Sequence, residues 1–314
     1  FYSAEGSSLC IRAMLQIAVQ LSGREHPVIL AARNAHRAFV YACALLGLGV
    51  EWMFPASGGD SLCKCPVFPV QLQSRLERFR ESGGEMPAAV YLTTPDYLGG
   101  QQPVAELAAV CKKFDVPLLV DNAHGAYLKF LPDGEGKTQH PMDCGAAMCC
   151  DSAHKTLPVL TGGAYLHISA DFSKDAAALA RGAMALFGST SPSYLILQSL
   201  DACNAVLAGD DPRRLVQCCV ALEGLRRSLN KAAAARQCPV PLAVAGAQQE
   251  PMKLTLDAAA LGCTGTALAD ALRRAQLECE YADPRYVVLM FTPENPPQDY
   301  TRLHATREQL LAAV

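Results

Sequence analysis

Four things are missing from this chain, and each removes a class of function. No apolar run approaches the roughly 18 residues that a bilayer-crossing helix needs, so no membrane partner is expected. No basic cluster stands out among 27 lysines and arginines set against 30 acids, with a net charge of −3. A nucleic-acid partner is therefore not expected either. Cys63-Lys64-Cys65 is the one close cysteine pair with a metal-like spacing, and no second pair accompanies it at zinc-ribbon distance; no metal site is expected. Internal repeats and low-complexity tracts are also lacking.

What is present fits a large folded chain. Hydrophobic residues make up 51% and charged residues only 18% of 314 positions, enough to build a sizeable core and, by size, one large domain with a smaller one. The 14 cysteines lie in apolar runs, with Cys149-Cys150 and Cys218-Cys219 inside predicted buried elements. That usage fits cysteine as a small hydrophobe in a reduced, cytoplasmic protein rather than a disulfide framework. The chain starts at Phe1, without methionine or a signal-peptide pattern, in a stretch that reads as a strand. It is expected to be a fragment of a longer chain.

Periodicity gives alternating strands and helices. Strands are predicted at 28–31, 51–54, 88–92, 116–120, 146–150 and 164–168. Between and after them come helices from Glu5-Gly6-Ser7-Ser8, through Phe39 to Leu48, from Val70 to Arg80, from Pro103 to Phe114, from Ala176 to Met184, from Leu195 to Leu207, and from Pro212 to Leu229. Loops are predicted at Ser57–Asp60 and Gly188–Tyr194. This pattern predicts an α/β fold with a mainly parallel sheet covered on both sides. Composition shifts over 231–249 toward Ala, Pro and Gln. Beyond it a βαββα segment follows: strand 253–256, a helix capped by Thr264, strands 277–281 and 286–291, and a helix from Pro296 to Ala313. The expected domains are 1–235 and 250–314.

The chemistry concentrates at Asp151-Ser152-Ala153-His154-Lys155-Thr156-Leu157. Lys155 falls on a turn between two strands, and Asp121 ends another strand. A partly desolvated lysine amine can form a Schiff base with an aldehyde cofactor. An aspartate facing a pyridine nitrogen keeps it protonated, so that the ring accepts electrons. The pair therefore points to pyridoxal 5′-phosphate. Ser7 and Ser8, at a helix start, read either as plain capping residues or as a phosphate cradle. His36, at a strand–helix junction, reads either as a cap or as a ring stacked on a cofactor. Thr94, Asp121 and His124 each follow a strand end, where ligands collect in such sheets.

These residues resemble the Orn/Lys/Arg decarboxylase family of pyridoxal-phosphate enzymes of fold type I, whose large domain is aspartate aminotransferase-like. Asp121-Asn122-Ala123-His124-Gly125-Ala126 resembles the family's D-E-A-H-G-A segment. Ser152-Ala153-His154-Lys155-Thr156-Leu157-Pro158 resembles its S-T-H-K-T-L-P segment. Ser189-Thr190-Ser191-Pro192-Ser193-Tyr194 resembles its S-T-S-P-S-Y loop. Asn122 and Ala153 depart from the family's glutamate and threonine. The resemblance implies that residues 1–235 form the cofactor-binding large domain, short of the family's N-terminal stretch, and that the chain is similar to the shorter biosynthetic branch.

The resemblance also implies roles. Lys155 would carry the cofactor, Asp121 would pair with its ring nitrogen, His36 would stack on the ring, and His124 would lie near ring and substrate. Ser7, Ser8, Ser152 and His154 would surround the phosphate, and Thr94 would border the cofactor's edge. Ser191 or its neighbours would reach the site of a partner subunit in a homodimer or higher homo-oligomer. The implied reaction is decarboxylation of arginine, lysine or ornithine, with arginine favoured, to an amine used in polyamine metabolism. Asp96, Asp283 and Glu294 are acidic candidates for holding the substrate's far end. The alternatives are another fold-type-I enzyme, an aminotransferase or lyase, and a non-catalytic dimer partner of the same fold.

Overall fold

The computed structural model describes residues 1–55, 61–132, 140–209, 211–246 and 248–312. The loop expected at Ser57–Asp60 and the last residue of the expected terminal helix, Ala313, lie outside these. The chain divides into two compact units. The first comprises Phe1–Asp96, Gln101–Lys129 and Gln139–Leu207; the second comprises Tyr97–Gly100, Phe130–Thr138 and Ala208–Val314.

In the first unit the elements run β1 (Tyr2–Ser3), α1 (Gly6–Ser22), β2 (Val28–Ala32), α2 (Arg37–Leu46), β3 (Gly49–Met53), α3 (Pro69–Glu81) and β4 (Ala89–Thr93). They continue with α4 (Val104–Lys113), β5 (Leu118–Asp121), β6 (Met148–Asp151), the single turn α5 (Ala153–Thr156), β7 (Ala164–Ile168), α6 (Ala176–Phe187) and α7 (Tyr194–Leu207). Two 3₁₀ turns, Ala126–Phe130 and Pro141–Cys144, lie between β5 and β6. The seven strands form one sheet in the order β1-β7-β6-β5-β4-β2-β3. Pairings from β3 through β6 are parallel, whereas β7 is antiparallel to both β6 and β1.

Alternation along the strands explains why both faces are covered. Ile29, Ala31, Tyr91, Leu119, Met148 and Cys150 pack into a core with residues of α1, α2 and α6. Their sequence neighbours Leu30, Val90, Leu92, Leu118, Val120 and Cys149 pack into a second core with α3 and α4. Period-two side-chain geometry sends successive residues to opposite faces, so a strand apolar at every position requires a helical layer on each side. Each buried leucine or isoleucine here contributes on the order of 1.5–3 kcal/mol.

The second unit holds α8 (Asp211–Ala235), β8 (Lys253–Asp257), α9 (Gly265–Arg274), β9 (Tyr281–Ala282), β10 (Tyr286–Met290) and α10 (Pro297–Ala312). Its sheet is antiparallel, in the order β8-β10-β9. Helix α8 carries on through Lys231–Ala235, where alanine's helix preference outweighs the change in composition. The strand expected at 277–281 shrinks to β9. The cause is local: Gln276 turns left-handed at φ 61°, and the Leu277 amide closes the end of α9 by donating to Leu272 O at 3.0 Å.

Candidate active site

Parallel strands β4, β5 and β6 all end at one edge of the sheet, and the chain's chemistry collects there. Asp121 is the last residue of β5, lies beside Thr93 and Cys150 in register, and is only 2% exposed. Its carboxylate accepts from Tyr91 Oη at 3.1 Å, from the Ala123 amide at 3.2 Å and from the Cys150 thiol at 3.7 Å. Three donors converging on a buried acid hold it in place. Burial, and then the neighbouring Asp121 charge, push the Tyr91 phenol well above its ordinary range, so it stays a hydrogen-bond donor.

Lys155 lies in the one turn of helix that follows β6. That turn is closed by Lys155 N donating to Ser152 O at 3.0 Å and Leu157 N donating to Ala153 O at 2.9 Å. Lys155 thus occupies a short helix rather than a bare loop. Its Nζ is 3.0 Å from His124 Nε2, in the buried turn after β5. Gly125 keeps that turn tight: a Cβ there would come within 2.1 Å of Asn122 Oδ1 and 2.8 Å of Pro95 Cδ.

His36 sits at the N-cap of α2, and its Nδ1 accepts from the Ala38 amide at 3.2 Å. The capping reading is realised, and the ring proton is left on Nε2. Partial burial, foremost, lowers its basicity; Asp121 opposes the shift, while Lys155 and Arg37 add to it. One imidazole therefore feels both the acid and the amine. Burial and the adjacent Lys155 also lower His154.

The helix α1 starts at the same edge. Its N-cap is Glu5, not a serine, and Glu5 makes no side-chain cap bond; Ser7 and Ser8 fall inside the first turn. Ser7 Oγ instead accepts from Ser152 Oγ at 2.8 Å, joining the helix start to the lysine turn. Gly6, at φ 74°, has open space where a side chain would stand. Thr94 is buried and its Oγ1 accepts from the Gln102 amide at 3.0 Å. Ser191 lies on an exposed loop, its amide bonded to Ser189 Oγ. Among the described residues no hydrogen bond joins Ser191 to Lys155, Asp121 or His124, although the loop touches α1 where Ser189 N donates to Glu5 at 2.6 Å. Asp283 and Glu294 are engaged elsewhere: the first accepts from the amides of Arg285 and Tyr286, the second pairs with Arg214 at 3.0 Å. Asp96 is buried at the end of the first segment of its unit.

The chemistry of the residues present fits a flat, anionic, aldehyde-bearing ring such as pyridoxal phosphate: an amine paired with an imidazole, a fixed buried carboxylate, and a helix start without a side-chain cap that carries two serines. Thr93 Oγ1 and Thr156 Oγ1 add buried hydroxyls with no hydrogen-bond partner among the described residues.

Sequence reading missed Tyr91 and a second polar cluster. Asp151, the last residue of β6, is buried and accepts from Asn122 Nδ2 at 2.6 Å. Cys149, His140 and His167 also surround it. The available signal was Cys149-x-Asp151, two polar-capable residues on one face of a strand otherwise apolar.

Comparison with known proteins follows the same lines. The family model for the major domain of Orn/Lys/Arg decarboxylases matches residues 1–248. Protein YaaO of Bacillus subtilis is 31% identical over 268 residues, covering 83% of this chain and 52% of its own. An arginine decarboxylase of the same organism is 27% identical over 311 residues, covering 96% and 60%. This chain thus spans about half to three-fifths of the length of these curated relatives. A lysine decarboxylase of Francisella novicida superposes with a TM-score of 0.75 at 17% identity, over 98% of this chain and 48% of that one. The architecture is the fold-type-I α/β fold expected from the sequence.

Proposed function

Because this chain belongs to the Orn/Lys/Arg decarboxylase family, we propose that it removes the α-carboxylate of a basic amino acid as CO2 and releases the amine. Pyridoxal 5′-phosphate is the proposed cofactor, held by Lys155, Asp121, His36, Ser7, Ser8 and Ser152. Bound there, it would supply an electron sink for the pair left when the Cα–carboxylate bond breaks. The observation that carries this reading is the 3.0 Å approach of Lys155 Nζ to His124 Nε2, together with a buried, triply donated Asp121 at the end of β5.

The residues would then divide the work. Asp121 would hold a proton on the cofactor's ring nitrogen, and Tyr91 and the Ala123 amide keep its carboxylate from turning away. Lys155 and His124, 3.0 Å apart, are the groups that would deliver a proton to Cα after CO2 leaves. The buried walls at Thr94 and His124 exclude water, which strengthens each charge interaction inside. Arginine, lysine and ornithine are the substrate candidates, arginine first, and the amine would feed polyamine metabolism. A homodimer or higher homo-oligomer is the proposed assembly, supported by the exposed Tyr41, Leu45, Tyr194 and Leu195. Fourteen free cysteines support a reducing, cytoplasmic setting. Among the described residues no helix is long and apolar enough to cross a membrane.

The test is product analysis. The chain, supplied with pyridoxal phosphate and each of the three amino acids in turn, is expected to yield agmatine, cadaverine or putrescine together with CO2. A keto acid would assign transamination instead, and failure to take up the cofactor would assign a non-catalytic partner.

A further inference from the structure

The polar cluster around Asp151 uses neither Lys155 nor Asp121, and its chemistry is of another kind. Cys149 and Asp151 project from one face of β6, and the antiparallel register sets His167 of β7 opposite Cys149. His140, just before the 3₁₀ turn Pro141–Cys144, enters from a third direction. His140, Cys149 and Asp151 are all buried.

We propose that His140 Nε2, Cys149 Sγ and Asp151, whose ligand atoms all lie within 4.8 Å of one another, bind one zinc ion with water in the fourth position. The His140 nitrogen is 3.1 Å from Asp151 Oδ2 and 3.9 Å from Cys149 Sγ, and that sulfur is 3.5 Å from Asp151 Oδ1. His167 Nε2 is 2.8 Å from Asp151 Oδ2. Metal–ligand bonds of about 2.0–2.3 Å at tetrahedral angles put neighbouring ligand atoms about 3.3–3.6 Å apart, so small side-chain shifts admit the ion. The donors are nitrogen, sulfur and oxygen, the set zinc takes.

Charge favours the same ion. A thiolate and a carboxylate cancel a divalent cation, so the loaded site is neutral in its buried setting. Binding releases the Cys149 thiol proton to solvent. Asn122 Nδ2, 2.6 Å from Asp151 Oδ1, supports the carboxylate from outside the ligand set. His140 Nδ1 accepts from the Met142 amide at 3.3 Å; binding through Nε2 moves the ring proton to Nδ1 and gives up that long contact. His167 is partly exposed and borders a cavity of about 590 Å³ with Met142, Ile168 and Lys174, a route for the ion. With three protein ligands, two of them on β6, its role is to fix the end of that strand from which Lys155 departs.

The experiment uses the untagged chain, incubated with zinc alone, dialysed and assayed for metal. Wild type is expected to hold about one zinc per chain, and Cys149→Ser and Asp151→Asn about a tenth of that or less. Cys43→Ser, a buried cysteine on α2, is expected to keep the wild-type content. Cobalt loaded into wild type is expected to give the visible bands of a tetrahedral thiolate site, absent in Cys149→Ser. Wild type that takes up no zinc, wild type that gives no cobalt–thiolate band, or variants that retain wild-type metal would each overturn the proposal. Cofactor binding at Lys155 is not needed for any of these readings.

Discussion

Lys155 Nζ and His124 Nε2 meet at 3.0 Å although 31 residues separate them in the chain. One of the two nitrogens must lack a proton for that contact to be a hydrogen bond. An imidazole in the accepting role can take the proton that a lysine amine must lose before it reacts with an aldehyde.

Replacing Lys155 by alanine is expected to abolish turnover and the yellow absorbance of lysine-bound pyridoxal phosphate. The side chain is only partly buried, so the melting temperature should stay close to wild type. Absorbance after cofactor addition, read beside a thermal scan, checks both halves. A variant that still turned yellow would place the reactive amine elsewhere.

His124→Gln should leave the cofactor bound and lower turnover by about 10²–10⁴-fold, the usual worth of a positioned acid–base group. Single-turnover rates with arginine measure it. Unchanged rates would leave Lys155 as the sole proton carrier.

Tyr91→Phe removes one of three donors from the buried Asp121. Hydrogen bonds to charged groups are worth about 1.5–3 kcal/mol, so urea unfolding should show a loss of that order with an unchanged slope. A loss well under 1 kcal/mol would mean that another donor takes the phenol's place.

Acidification should destabilise the fold through His36 and His154. Both are held below the ordinary histidine value, chiefly by burial. The unfolded chain therefore binds these protons first, and stability rises with pH wherever it does. The contribution is flat above about pH 6.5 and is lost as pH falls below it toward the lower folded-state values. Urea midpoints across that window should drop less in a His36→Gln, His154→Gln double variant than in wild type. Parallel curves would exclude the two histidines as the cause.

Gly125→Ala forces a methyl to within 2.1 Å of Asn122 Oδ1 and 2.8 Å of Pro95 Cδ. Overpacking of this kind costs about 1–3 kcal/mol, and the strain falls on the turn that aims His124. Both a lowered melting temperature and a lowered turnover are expected; loss of neither would show that the turn can open freely.

Much of this was legible in the chain because it rests on local patterns. Apolar runs bounded by turn residues gave the strands of the large sheet, since a strand covered on both faces is apolar at every position. The motif around Lys155 and the acid at the end of β5 were legible because strand ends in such sheets share one edge. The antiparallel turn of β7 was not, for pairing direction leaves no mark on a short apolar run. Tyr91 looked like one more core aromatic; its hydroxyl acquires meaning only when β5 lies beside β4. Asp151 and His167 likewise looked unrelated until the β6–β7 register set them side by side. Asn122, a departure from the family pattern, proved to be a partner of that same acid.

The antiparallel pairing of β6 and β7 has a practical consequence for anyone re-engineering the chain. Asp151↔Tyr165 and Cys149↔His167 pin both ends of the segment that carries Lys155. A residue added or deleted within the short helix Ala153–Thr156 would re-aim Lys155, because the ladder on either side holds its register: a slip of one step would turn His167 to the opposite side of the sheet. Tags or cleavage sites belong after that turn, near the exposed Leu160, and not inside it.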